Sequence, residues 1–170
     1  MPVLEEIKET VEAIGSEKVK LIGENLSGRD LSQFNLKKAN LTRVNFENAI
    51  LKEINLNETT LEWANLAGAD LTDADLTKAK LFRANLAGAN LENCNLHEAY
   101  LGKVNLRGAI LKNADLSKAT LHYADLRDAN LEGTNITGID LRWSRYNSKT
   151  VWPHEKFDPS LTGAILYERE

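Results

Sequence analysis

From residue 24 to residue 143 the chain repeats itself every five residues, and that period is the feature that most limits its fold. The stretch Ala64-Asn-Leu-Ala-Gly-Ala-Asp-Leu-Thr-Asp-Ala-Asp-Leu-Thr-Lys-Ala-Lys-Leu-Phe-Arg-Ala-Asn-Leu86 shows the unit: Ala, then Asn or Asp, then Leu, then two variable residues. An α-helix repeats its face at about 3.6 residues and a strand at 2. A sustained period of five fits neither. It requires a chain bent at regular intervals, so that each bend turns the same residue class inward.

The inward class is easy to identify. Of the 24 positions from 26 to 141 in steps of five, 22 are Leu, with Phe46 and Ile136 as exceptions. Two residues earlier, 14 of 24 positions are Ala, and most others are small or apolar, such as Val44, Ile54, Cys94, Val104, Thr134 and Ile139. One large and one small apolar residue per unit describe a narrow interior. A five-residue unit cannot bury its own apolar face, but stacked units bury a continuous core along an axis.

Ala-Asp/Asn-Leu-X-X in unbroken tandem resembles the pentapeptide repeat proteins, and the likeness covers most of the chain. It implies an all-β solenoid: a right-handed, four-sided parallel β-helix, with four units to a square coil of roughly twenty residues. It also implies Leu inward at the centre of each side and Ala inward at the corner. About six coils are expected, which at an inter-strand spacing of about 4.8 Å make a shaft roughly 30 Å long. Three regions follow: residues 1–17 as an N-terminal capping helix, 18–143 as the β-helix, and 144–170 as a C-terminal cap with one further repeat-like unit.

Val3, Leu4, Ile7, Val11 and Ile14 follow helical spacing, with Pro2 and Gly15 suited to the two ends. A solenoid end exposes core and strand edges and needs covering, so this helix reads as a cap; a helix for docking a partner is the alternative. Glu24 and Arg29 stand where a small inward residue is wanted, which predicts an irregular first coil, and Phe34 is oversized there. From Asn35 to Leu141 no residue interrupts the units, so the shaft is expected to be straight and without loops. Trp143, Tyr146, Trp152 and Phe157 then bring aromatics, together with Pro153 and Pro159. They read as an aromatic cap over the open end; a homodimer contact through that end is the alternative, because interfaces use the same residues.

Four units per coil would stack residues twenty apart into columns. Arg43, Trp63, Arg83, Lys103, Tyr123 and Trp143 form a basic and aromatic column, with Phe82, His122 and Arg142 beside it. It is the sharpest candidate for a partner-binding face. Aromatics interleaved with cations also hold single-stranded nucleic acid, a further alternative; a column that merely stabilises itself is the plainer reading. Asn25, Asn45, Asn65, Asn85 and Asn105 are placed to form an amide ladder. Lys38, Glu58, Lys78, Glu98 and Lys118 alternate in sign, which reads as structural. Gln33, Glu53, Asp73, Asn93, Asn113 and Gly133 form a weakly acidic strip.

Catalytic chemistry is missing from the sequence. His97, His122 and His154 fall on different parts of the fold, so no metal site is expected. Cys94 holds a small inward position and reads as core filling. There is no phosphate-binding Gly loop and no nucleophile elbow. The expected class is therefore a non-catalytic protein-interaction or scaffold module with an unknown protein partner and no cofactor. The best-understood proteins of the resembled family mimic duplex DNA and bind DNA gyrase, some conferring quinolone resistance. A gyrase modulator is thus the alternative, although the net charge of −4 is mild for it. Many plain members, notably cyanobacterial ones, have no assigned role, and this sequence resembles them most. The start lacks an export signal and no stretch is apolar enough for a membrane span, so the expected location is the cytoplasm.

Overall fold

A computed structural model describes Glu5, residues 7–9 and residues 15–168. Each five-residue unit consists of a three-residue extended segment and a two-residue turn. In the segment Ala64-Asn65-Leu66 the outer two side chains point inward and are buried, and Asn65 points out. The midpoint of each flat segment is therefore the Asn/Asp position, with Ala and Leu flanking it, rather than Leu at the centre and Ala at the corner. The corners are the two variable residues.

Parallel bridges join each midpoint to the residue twenty positions on and create four faces. The first face carries Lys20, Asn40, Thr60, Lys80, Tyr100, Thr120 and Asp140. The second carries Asn25 to Asn105, then Asp125, Arg145 and Ile165. The third runs from Asp30 to Val151, and the fourth from Asn35 to Asn135. Two residues per unit are spent on a turn, so pairing is mostly confined to single bridges. Among the described residues, only β1 (Arg145–Tyr146) and β2 (Ile165–Leu166) extend to two residues, paired in parallel.

Each unit satisfies its backbone in a fixed way. Around Leu66, the N–H of Leu66 donates to the Asn85 carbonyl at 2.7 Å, Gly68 to Ala87 at 2.9 Å, Asp70 to Ala49 at 3.0 Å, and Ala69 across the turn to Leu66 at 3.1 Å. That leaves the N–H of Ala67, which donates to the Asn65 side-chain Oδ1 at 3.3 Å. Where the midpoint is Asn or Asp, its side chain thus accepts the one donor that stacking cannot reach, an Asx turn. The second turn residue has φ near +60° at every unit, including Arg43 at 59° and Trp63 at 62°. A positive φ confined to that position defines a type II turn.

The interior is one continuous column of Leu and Ala. Each fully buried Leu contributes on the order of 1.5–3 kcal/mol. Thr59 and Thr134, which replace Ala, donate their hydroxyls to the Leu36 and Leu111 carbonyls at 3.0 and 2.9 Å. Cys94 is buried, and desolvation pushes its thiol pKa up, consistent with a core filler.

The ends differ from the shaft. Of the expected capping helix, Glu5, Ile7, Lys8 and Glu9 are helical; Val3, Leu4, Val11 and Ile14 lie outside the described residues. Ile7 is buried against the core, and the Lys8 ammonium lies 5.4 Å from the Phe34 ring centre. The first coil is more regular than expected. Its backbone holds register through Asn25↔Asn45 and Asp30↔Ile50, and only the Glu24 and Arg29 side chains turn out to solvent.

At the other end the ladders continue past residue 143. Ser144, Arg145 and Tyr146 stack on 124–126, and Ile165 pairs in turn with Arg145. Asn130 pairs with Val151, twenty-one positions on, so one extra residue enters between Tyr146 and Val151. Asn147 absorbs it: its Oδ1 accepts the N–H groups of Asp128 at 3.0 Å and Lys149 at 3.2 Å.

Candidate functional site

The column expected from residue spacing forms along the corner between the first and second faces. The Arg83 guanidinium lies 4.4 Å from the Trp63 ring centre and 5.4 Å from that of Phe82. Lys103 stands 5.9 Å from Phe82 and 5.7 Å from Tyr123. Tyr123 stacks on Trp143 at 6.4 Å with 15° between their planes. Successive rungs of the column thus touch, while Trp63, Tyr123 and Trp143 remain about half exposed. Arg43 begins the column and is exposed.

The four aromatics expected at the C-terminal end separate into two groups. Tyr146 and Trp152 meet edge to face at 5.5 Å, and Trp152 lies 5.1 Å from Phe157. Trp152 and Phe157 pack on the end of the core. Trp143 is not with them; it belongs to the corner column.

Beside that column lies a groove of about 570 Å³ on the first face, lined by residues that include Lys80, Phe82, Tyr100, Gly102, Lys103 and His122. Phe82, Gly102 and His122 hold the same turn position in successive coils. A Cβ on Gly102 would stand 3.2 Å from Phe82 Cδ2, so the missing side chain is what gives the Phe82 ring its place. The lining residue His122 is itself engaged from the next coil by Asp140 and Arg142. Asp140 receives Arg142 at 2.6 Å and His122 at 2.5 Å, and the hydrogen bonds from Arg142 hold its carboxyl well below the usual carboxylate range.

Column counting alone did not single out Lys80, Tyr100 or Gly102. A signal was available. The second and fourth faces carry Asn or Asp at every midpoint from Asn25 to Asp125 and from Asn35 to Asn135. The first face abandons it over four consecutive coils, at Thr60, Lys80, Tyr100 and Thr120. The third face drops it singly, at Ile50 and Ile110; the first face alone gives up the side-chain acceptor in a consecutive run, at the place where the groove forms.

Charge is distributed unevenly as well. At the corner between the fourth and first faces, Lys38 pairs with Glu58 at 3.7 Å, and Lys78 and Lys118 both pair with Glu98, at 3.6 and 3.5 Å. Among the described residues, Arg43, Lys80, Arg83 and Lys103 make no ion pair. The expected acidic strip is thin: Glu53 and Asp73 are its only carboxylates, and Gln33 donates to Glu53 at 3.2 Å. The Asn ladder forms, each amide donating to the rung before it at 2.9–3.2 Å.

Among the described residues no group of three His, Cys, Asp or Glu is placed to hold a metal, and no helix is long and apolar enough to cross a membrane.

With this geometry the comparisons agree. The sequence profile of the pentapeptide repeats matches residues 25–57, 54–93 and 99–138, in 8 copies. The chain belongs to the pentapeptide repeat family, whose fold is the right-handed quadrilateral β-helix. The pentapeptide repeat protein Rfr23 from the cyanobacterium Cyanothece 51142 is 27% identical, with a TM-score of 0.62 over 88% of this chain and 99% of that one. HetL of Nostoc sp. strain PCC 7120, a pentapeptide repeat protein involved in heterocyst differentiation regulation, is 25% identical, with a TM-score of 0.31 over 93% and 90%. Full-length QnrB1, a plasmid-mediated fluoroquinolone resistance protein, is 17% identical, with a TM-score of 0.32 over 76% and 92%. No curated protein sequence matches the chain.

Proposed function

We propose that this pentapeptide repeat protein is a non-catalytic binding module, and that it recognises a protein partner through the first face and the corner column Arg43, Trp63, Arg83, Lys103, Tyr123 and Trp143. The observation that carries this reading is the coincidence on one surface of unpaired cations, exposed aromatics and a four-coil departure from the repeat. The second and fourth faces keep Asn or Asp at their midpoints, and the Lys–Glu corner pairs Lys38, Lys78 and Lys118; this surface does neither. Photocrosslinking tests it: a benzophenone side chain at Tyr100 captures a protein in the native host, and one at Asn90, on the third face, does not. Equal capture from both positions overturns the reading.

The nucleic-acid alternative is disfavoured by charge: binding to a phosphate backbone is dominated by cationic contacts, and the chain carries a net −4. The gyrase alternative asks for a dense negative surface, since duplex DNA carries one charge per roughly 1.7 Å. The acidic strip here offers Glu53 and Asp73, and at the neighbouring turn positions Glu92 and Glu132 are offset by Lys52 and Lys112. Titration into a gyrase supercoiling assay, with and without a quinolone, is expected to show no effect; inhibition or protection at micromolar levels would make the gyrase reading the leading one.

The C-terminal end supports a second proposal, self-association beyond an aromatic cap on a shaft of about six coils. Leu161 is 85% exposed, with Ile165 and Leu166 beside it on the last rung. β2 pairs with β1 on one side, and among the described residues its other edge carries no strand. Light scattering is expected to show a dimer that Leu161→Glu with Leu166→Glu converts to a monomer; a wild-type monomer at high concentration removes the proposal. We take the cytoplasm as the compartment, to be checked by fractionation of the native host.

A further inference from the structure

We propose that the groove over Gly102 is a binding site for an extended acidic peptide segment, in which an apolar side chain enters between Phe82 and His122 while flanking Asp or Glu carboxylates meet Lys80 and Lys103. This deepens the reading above and rests on it.

Three observations converge. The groove walls are largely apolar, with Phe82, Tyr100 and Tyr123 around a glycine. A volume of about 570 Å³ lies within the range of sites that hold a small ligand or a few side chains. The rim is cationic and unmet. Lys80 and Lys103 line it without an ion pair among the described residues, against Glu62 as the one carboxylate in the lining; Arg83 stands next in the corner column. The chain as a whole carries −4, so this local excess of positive charge is a feature of the patch and not of the composition.

Charge complementarity of this kind selects a partner and speeds its arrival more than it adds raw affinity. A peptide suits the patch better than a nucleic acid does. The cations sit on two sides of one apolar surface instead of tracking a backbone, and the apolar walls offer an apolar side chain a place that a phosphate chain does not use. Lys103 is held by the Phe82 and Tyr123 rings, so its ammonium is already positioned over the groove.

The test uses the full chain and fluorescence anisotropy of labelled peptides. The probes are a peptide of alternating Glu and Phe, one of Gln and Phe, one of Glu and Ser, and an oligothymidylate. The first is expected to bind saturably, and the second and third at least about tenfold more weakly, with binding that falls as salt rises. Lys80→Gln with Lys103→Gln should abolish binding by removing charge, and Gly102→Gln by filling the notch. The same turn position carries Phe82 and His122 in the adjacent coils, so the backbone takes a side chain there, but one at 102 meets the Phe82 ring at 3.2 Å and displaces it from the groove wall. Both lysines are exposed, so the double variant keeps the test alive even if Gly102→Gln fails to fold. Equal binding of the Gln and Glu peptides, unchanged binding by the lysine variant, or tighter binding of oligothymidylate would overturn the proposal. Capture of a host protein at Tyr100 with no acidic-peptide binding refutes the peptide chemistry alone. Peptide binding without host capture supports the groove and counts against the broader function.

Discussion

At the scale of single residues, the unit is a solution to backbone accounting. Four of its five N–H groups are taken by stacking and the turn, and the Asn or Asp oxygen takes the fifth. Asn85 does this while also bonding Asn65 and Asn105, so Asn85→Ala should cost about 1–3 kcal/mol in urea denaturation. A replacement at an unladdered midpoint such as Tyr100→Thr should cost far less. The left-handed turn position provides a separate check. Gly88 has φ of +65° and open space around its missing Cβ, so Gly88→Val isolates backbone strain from crowding. It should lose roughly 1–3 kcal/mol, and Gly88→Asn clearly less, because Asn tolerates that region. This turn was legible in the sequence. Gly23, Gly28, Gly68, Gly88, Gly108, Gly133, Gly138 and Gly163 all fall at the second variable position, which a reading focused on Ala and Leu passed over.

At the scale of elements, the faces differ in what they do for the fold. The absence of insertions made residues twenty apart neighbours, which is why the alternating Lys–Glu corner, the Asn ladder and the cation–aromatic column could all be placed in advance. The groove could not be placed from columns alone, because it is shared between a face midpoint, Tyr100, and turn residues of the adjoining corner. The upper end was legible only in outline, since the residue added between Tyr146 and Val151 shifts the register of one face. That end is held by charge. Asp125 is only 8% exposed; burial by itself would raise its carboxyl pKa, but the Arg127 hydrogen bonds at 2.5 and 2.8 Å outweigh this and lower it. Arg127 and Arg145 in turn flank the Tyr167 ring at 5.0 and 5.7 Å, tying the last rung down.

Asp70, Asp115, Asp125 and Asp140 all have lowered pKa values in the fold. A carboxylate more acidic when folded adds stability above its unfolded pKa, near 3.9, and loses it as pH falls further. Thermal stability should therefore hold from pH 7 to about 5 and decline steeply below about 4. A flat profile down to pH 2 would contradict the ion pairing described.

At the scale of the whole molecule, the protein is a rigid shaft whose interior is uniform and whose surfaces are not. The uniform part explains why the fold could be read from the period of five. The surface was legible only as columns, because partner recognition has no repeat of its own and shows itself as departures from one. Stability and recognition should accordingly be separable. The most direct measurement is affinity capture from the native host with two charge-reversed proteins, each checked for an unchanged unfolding transition. One carries Arg43→Glu, Arg83→Glu and Lys103→Glu; the other carries Lys38→Glu, Lys78→Glu and Lys118→Glu on the adjacent corner. The account predicts that the first loses the partner held by the wild type and the second keeps it. Retention by the first protein, or equal loss by both, would contradict it.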